Sequence, residues 1–444
     1  MKPIKNLLLT VAISTGWFIA VNLTFAQTWT RTSAPSNNWE AVASSADGSK
    51  LIAAGMSWIY CISTNSGSTW ITNTQPQKGS RHGGWSCIAS SADGTKLVGL
   101  AGGIIWVSTN SGTTWFSNNV PGVAFFGSVA LSADGNKLVA VAGDHSSSPG
   151  SIYTSTNSGI TLKQTTAPTN NWMSVASSAD GTKLVAAAII NDPQNHPQSG
   201  KIYASTDSGL TWALTGASTN NLWATVASSA DGSKLLAASE VAIVLVPTLR
   251  GSYGSVYTST NFGITWTSNH VPAAQWQSVA SSADGTKLVA VAIEPRGLIY
   301  SSTNSGATWV SNNVPNDGWH SVASSADGKQ LVAASIVNES FKPGSIYISR
   351  QKTSKVFAIC YELKSPGKNY GPFFEAIKNS AKWCHFPDST WLIYTSETPA
   401  EISNRLSPHI VQGDYLLIIE VRKNFNGCLP KEAWNWIDQH VTQQ

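Results

Sequence analysis

Between residues 39 and 337, short alternations of apolar and small polar residues run into an Asp-Gly step and return as a second apolar run. WMSVASSADGTKLVAAAII, from Trp172 to Ile190, shows the whole pattern. Period-two alternation on both sides of a tight turn predicts a β-hairpin, in which Asp bonds its own backbone and Gly takes the positive φ that other residues resist. A variable loop follows, then a third run such as KIYAST and a second turn, S-T-D-S-G-L-T-W, that leads into a fourth strand.

The hairpin comes round seven times, with its Asp at 47, 93, 134, 180, 231, 284 and 327, spaced 41 to 53 residues apart. Eight positions before each Asp stands an aromatic residue: Trp39, Trp85, Phe126, Trp172, Trp223, Trp276 and Trp319. Four positions after it stands a Leu, from Leu51 to Leu331. Fixed offsets inside units of variable spacing mean one supersecondary element repeated with loops of differing length. The second turn recurs at Ser63 to Trp70, Ser108 to Trp115, Ser155 to Leu162, Ser205 to Trp212, Ser259 to Trp266 and Ser302 to Trp309. It resembles the Asp-box of sialidase-type propellers, S-x-D-x-G-x-x-W, with Asn in place of Asp in five of the six copies. Asn and Asp serve a turn equally, through side-chain-to-backbone hydrogen bonds.

The resemblance, with four strands in each of seven units, implies an all-β seven-bladed β-propeller over residues 27–350. After Gly344 to Ser349 no further box or fourth strand follows, while QTWTRTSAP at residue 27 reads like the fourth strand of the other units. Gln27 to Thr32 is therefore expected to complete the last blade and remove its open edge. The repeat region also resembles the propeller of the photosystem II assembly factor group, which implies a protein-binding platform.

From Lys355 the chain changes character after a linker at 351–354. Strand and helix patterns alternate as KVFAICYEL, YGPFFEAIKN, WCHF, STWLIYTS, PAEISNRLSPHI and YLLIIEV, an order that predicts a C-terminal α+β ferredoxin-like domain over 355–444, closed by PKEAWNWIDQHV. YELKSPGKNY, WCHFPDSTWLIYTS and DYLLIIEV resemble the small SinR-like proteins related in fold to the CRISPR-adaptation nuclease. In those relatives an Asp ends the first strand and holds a metal across a dimer; Glu362 stands there in this chain, which speaks against metal-dependent cleavage. Trp434 and Trp436 cannot both face the core from one helix, so one of them is a candidate dimer contact and the domain a candidate for self-association.

Lys2, Lys5, the apolar run Leu7 to Val21 and Thr24-Phe25-Ala26 read as a secretory signal over residues 1–26, and the competing reading of the same run is an uncleaved membrane anchor. Either way the repeats are expected outside the cytoplasm, secreted or periplasmic. The net charge of +4 does not concentrate in the repeats, which excludes nucleic acid as a partner of the propeller. Five cysteines without a Cys-x-x-Cys indicate neither a zinc site nor a disulfide framework, though a Cys61 to Cys87 bridge is conceivable.

The seven turn Asp residues invite a catalytic or calcium reading, but their constant Asp-Gly context is explained by the turn alone. No catalytic residue, metal or cofactor is expected. The ligand expected instead is a protein or a glycan, bound on the face that carries the variable loops and the channel mouth. Candidate contacts there are the seven aromatics, Trp39, Trp85, Phe126, Trp172, Trp223, Trp276 and Trp319, either stacking on sugar rings or packing between blades, together with Arg81, Arg250 and Arg296. A sialidase-type hydrolase is the alternative; it needs those arginines to converge, with Tyr253, Glu240, Glu294 and Asp192 as chemistry. His385, Asp388 and Ser389 fall too close in sequence to form a hydrolytic set.

Overall fold

The computed structural model describes residues 27–441 except 57, 75–83, 102, 144–148, 192–196, 241–253, 338–341, 352–354, 366, 381, 387–388, 398 and 423–430, and of 191, 197, 198, 240, 337, 386, 432 and 433 only the backbone. The chain divides into two compact units, Met1–Arg350 and Gln351–Gln444.

Among the described residues the first unit is built of seven four-stranded antiparallel sheets. Six of these take their strands in chain order, as in Trp39–Ser44, Leu51–Gly55, Ile59–Ser63 and Ile71–Thr74. The second strands are buried along their whole length at Leu51–Gly55, Leu97–Ala101 and Leu138–Ala142, because a neighbouring sheet covers either face. That is why they read as unbroken apolar runs rather than alternations. The seventh sheet takes its fourth strand from the other end of the repeats. Trp29–Arg31 pairs with Ile346–Arg350, Trp29 opposite Ser349 and Arg31 opposite Tyr347.

Each residue of the SADGTK turn has a structural task. Ser45 Oγ accepts the Lys50 amide at 2.9 Å and donates to Asp47 Oδ1 at 2.6 Å, and the same oxygen accepts the Ser49 amide at 2.9 Å. Gly94 sits at φ +67°, and a Cβ there would also stand 2.7 Å from the Lys50 side chain of the preceding sheet. That lysine reaches across the junction: Lys183 donates to Asp231 O at 2.7 Å and Lys287 to Asp327 O at 2.6 Å. The alanine joins the sheets. Ala46 N donates to Ala92 O, Ala92 to Ala133, Ala133 to Ala179, Ala179 to Ala230, Ala230 to Ala283, Ala283 to Ala326, and Ala326 back to Ala46, all at 2.7–2.8 Å.

The second turn is fixed to the first. Ser66 N donates to Ser49 O at 2.7 Å, and Ser63 Oγ accepts the Gly67 amide at 2.8 Å. Asn65 Oδ1 accepts the Thr69 amide at 2.9 Å while its Nδ2 donates to Thr69 Oγ1. In the one box with Asp, the direction of that last bond reverses and Thr211 Oγ1 donates to Asp207 Oδ2 at 2.6 Å. The two residue types thus hold the same turn with opposite polarity.

The second unit carries one four-stranded antiparallel sheet, in the spatial order Lys382–Phe386, Thr390–Thr395, Lys355–Glu362, Tyr415–Val421, with helices Gly371–Lys378, Pro399–Leu406 and Lys431–Val441. Phe357, Ile359, Trp391 and Ile393 pack with Phe373, Ile377, Ile402 and Leu406, whereas Val356 and Leu392 pack with Ile437 and Val441. Trp434 and Trp436 both lie half-buried against that second cluster, so the expectation that one of them would be surplus to the core is corrected. Their helix covers part of a sheet face broad enough for both. Cys61 and Cys87 are free thiols, Cys61 packed in one sheet junction and Cys87 lining a channel, and no bridge joins them.

Two outcomes follow from the packing. Trp29 is 8% exposed and packs with Val291 and Trp319, so Trp29→Ala should lower unfolding stability by about 3 kcal/mol in denaturant titration, and deletion of residues 27–32 should produce aggregation through the bared Ile346–Arg350 edge. Bonds from Ser91, Ser178, Ser229 and Ser282 hold Asp93, Asp180, Asp231 and Asp284 at a pKa of about 2. A depressed folded pKa gives stability that is present above the unfolded carboxylate range, near about 4, and is lost as pH falls toward about 2. The melting temperature should therefore drop steeply between those values; a flat profile there would show that the turns do not depend on their carboxylates.

Candidate functional site

Every first strand carries a β-bulge at the residue after its aromatic. The register shifts between Trp39 and Ala41, Trp85 and Cys87, Phe126 and Ser128, Trp172 and Ser174, Trp223 and Thr225, Trp276 and Ser278, and Trp319 and Ser321. A bulge adds one residue against the partner strand and re-aims its side chain. The bulged residues are Glu40, Ser86, Gly127, Met173, Ala224, Gln277 and His320, and all seven line one central channel of about 610 Å³.

The two positions beyond the bulge are committed to joining sheets. Ser321 Oγ accepts the Val42 amide, Ser128 that of Val175, Ser174 that of Val226 and Ser278 that of Val322, at 3.1–3.2 Å. Cys87 takes the same position, and burial pushes its thiol pKa up. The chemistry of the channel therefore rests on the bulged residues. Around the ring they divide into a polar arc, Gln277, His320, Glu40 and Ser86, and an arc of small and apolar residues, Gly127, Met173 and Ala224.

Glu40 and His320 face each other where the first sheet meets the seventh. His320 Nδ1 lies 2.8 Å from the Glu40 carbonyl oxygen, and since a carbonyl only accepts, that nitrogen carries the hydrogen. Nε2 lies 3.5 Å from Glu40 Oε2. Burial pushes the Glu40 carboxyl above the usual carboxylate range, and His320 offsets part of that rise.

The seven aromatics do not offer stacking surfaces. Trp39, Trp85, Phe126, Trp172, Trp223, Trp276 and Trp319 are 0–2% exposed, which corrects the reading that lines the channel mouth with them. The bulge turns the following residue toward the channel and leaves the aromatic between strands and sheets. Five of the rings stand against a tyrosine on the third strand of their own sheet, as Trp223 does with Tyr257 at 5.0 Å and Trp319 with Tyr347 at 5.2 Å, and Trp85 stands against Tyr60 on the third strand of the preceding sheet. Arg296 is held by Glu294 at 3.2 Å, whereas Arg81, Arg250, Tyr253 and the Asp192 and Glu240 side chains lie outside the described residues. His385 leans on Trp391, ring centroids 4.2 Å apart, and Glu362 pairs with Lys364 at 3.2 Å.

Glu40 and His320 were missed as a site, although the repeats carry a signal for them. The contexts WEAVASSADG, WSCIASSADG, FGSVALSADG, WMSVASSADG, WATVASSADG, WQSVASSADG and WHSVASSADG differ at every copy in the second position and scarcely elsewhere.

Four-stranded sheets closed in a ring about a channel define a β-propeller. No family model and no curated protein matches the chain in sequence. Solved structures match in fold. The beta-propeller domain of Cps50 (Swd1) from Myceliophteria thermophila aligns with a TM-score of 0.51 and 12% identity over 73% of this chain and 99% of that one. YCF48 bound to D1 peptide aligns at 0.50 and 12% over 73% and 97%. A GH74 enzyme from Niastella koreensis aligns at 0.50 and 16% over 75% of this chain, which spans just over half, 57%, of the enzyme. At these identities the likeness is one of fold, which hosts many functions.

The carboxyl at Glu40 should oppose folding. A raised folded pKa costs stability as pH rises through it, and Gln in its place can donate to the bare Nε2 of His320. Glu40→Gln should therefore melt higher than the natural chain at neutral pH, with the gap closing as pH falls below about 4. A lower melting point at neutral pH would show the pair to be structural.

Proposed function

We propose that the chain is an exported, non-catalytic seven-bladed β-propeller that binds a protein or glycan ligand at the mouth of its channel, with an appended ferredoxin-like, SinR-like module. The observation that carries this reading is where the carboxylates stand. Among the described residues of the repeats, the seven Asp-Gly aspartates and Asp207 bond within their turns, as Asp47 does to Ser45 and Ser49. Of the remaining acids, Glu40 faces His320, Glu294 holds Arg296, and Asp317 accepts a bond from Ser335. A glycoside hydrolase works with two carboxyl groups spaced across a scissile bond. The D1 peptide in the YCF48 structure favours a protein ligand on this fold, and the GH74 enzymes keep the hydrolase as the alternative.

The strand order of the second unit, second, third, first, fourth, supports the ferredoxin-like reading, and the spacing of apolar residues on its edge strand supports self-association. Tyr415, Leu417 and Ile419 are 47–61% exposed on a strand that, among the described residues, pairs on one side only. In sedimentation of the full chain, Leu417→Lys should shift any dimer toward monomer, and an unchanged distribution would remove this strand from the interface.

The binding reading is tested by screening the full chain against peptide and glycan arrays, together with turnover of a panel of aryl glycosides and sialosides. Array binding with no turnover is the expected outcome. Turnover abolished by Glu294→Gln would replace the reading with the hydrolase.

A further inference from the structure

The bulge ring does more than line a channel, because its polarity is organised. Gln277, His320, Glu40 and Ser86 come from four consecutive sheets, and Gly127, Met173 and Ala224 from the three that complete the ring. A ligand that fills the mouth meets polar groups on one side, the acceptors Glu40 and His320 Nε2 among them, and an apolar wall on the other. The volume, about 610 Å³, lies within the range of small-ligand sites.

The acceptors are specified by hydrogen bonding. With the hydrogen of His320 held on Nδ1 by the Glu40 carbonyl, neutral imidazole points a lone pair from Nε2 toward Glu40 Oε2, itself an acceptor, 3.5 Å away. Two acceptors facing each other require a donor between them. A group with several N–H donors and a positive charge supplies that donor well. Among the described residues no Lys or Arg lines the channel, and the ionisable side chains that do are Glu40, His320 and Cys87. From this geometry we propose that the channel mouth binds a primary ammonium group on an aliphatic stem, the ammonium donating to Glu40 and His320 Nε2 and the methylenes lying along Met173. A lysine side chain has this chemistry, as does a free alkyl diamine. The inference rests on the binding reading above and names the ligand class for it.

The test uses the full chain, with binding followed by calorimetry at pH 8. N-acetyl-lysine amide and N-acetyl-norleucine amide share a stem and differ in the ammonium, while cadaverine represents the free amine and Gly-Lys-Gly, blocked at both ends, the lysine of a protein. The lysine probe should bind at least tenfold more tightly than norleucine, and Glu40→Gln should reduce it to the norleucine level. Asp207→Asn, in a box whose other copies are Asn, should leave binding unchanged. Tighter binding of the blocked peptide than of cadaverine assigns the site to a protein lysine, and the reverse order to a free amine. Equal binding of lysine and norleucine, or a lysine preference that survives Glu40→Gln, overturns the inference. If array binding persists in either case, the propeller is still a binding platform with its ligand held elsewhere.

Discussion

The hydrogen bond from each turn alanine to the alanine of the next sheet is the constraint on which the propeller depends. It runs Ala46, Ala92, Ala133, Ala179, Ala230, Ala283, Ala326 and back to Ala46, and a buried amide left out of it would cost about 1–3 kcal/mol. The circle can be satisfied only when the last sheet meets the first at the angle the others share. Everything else in the turn serves that end: Ser and Asp hold the alanine in place, and Gly leaves room for the neighbour's lysine. At the closing junction Gln330 replaces the lysine and donates to Gly48 O at 2.8 Å, beside the strand Trp29–Arg31 that seals the outer edge.

Much of this was legible because it is written in local chemistry. Asp-Gly and Ser-x-Asn-x-Gly need no tertiary context to form turns, and seven copies at fixed offsets leave little choice of architecture. The strand at Trp29 was legible by its likeness to other fourth strands. The site was not. A bulge breaks period-two counting, so a regular alternation assigns Trp39 and its equivalents to the channel face and hides Glu40 and His320. The arginine candidates were beyond pattern for a different reason, since Arg81 and Arg250 fall in stretches of sequence whose length and composition change from unit to unit.

The same accounting separates structure from recognition. Ser, Ala, Asp, Gly, Lys and Leu of the repeat each have a partner that substitution would orphan, and the aromatic and the small residue two beyond it are fixed between sheets. The bulged residue lines the channel in every copy and is the one of those lining positions that differs in all seven, through Glu, Ser, Gly, Met, Ala, Gln and His. A ring of otherwise equal units thereby acquires a polar side and an apolar side without cost to its packing.

Where the polarity falls also matters. Glu40 and His320 stand 280 residues apart in the chain and become neighbours only through ring closure. A ligand held between them binds the closed ring and not an opened one, so occupancy must stabilise the junction between the first and last sheets by the binding free energy it gains there. The buried carboxyl works in the opposite sense in the empty channel, because its charge is poorly solvated. With the proposed ammonium bound, closure and ligand binding would be two readings of one contact, and Glu40, whose buried charge opposes closure by itself, would favour closure through the ligand.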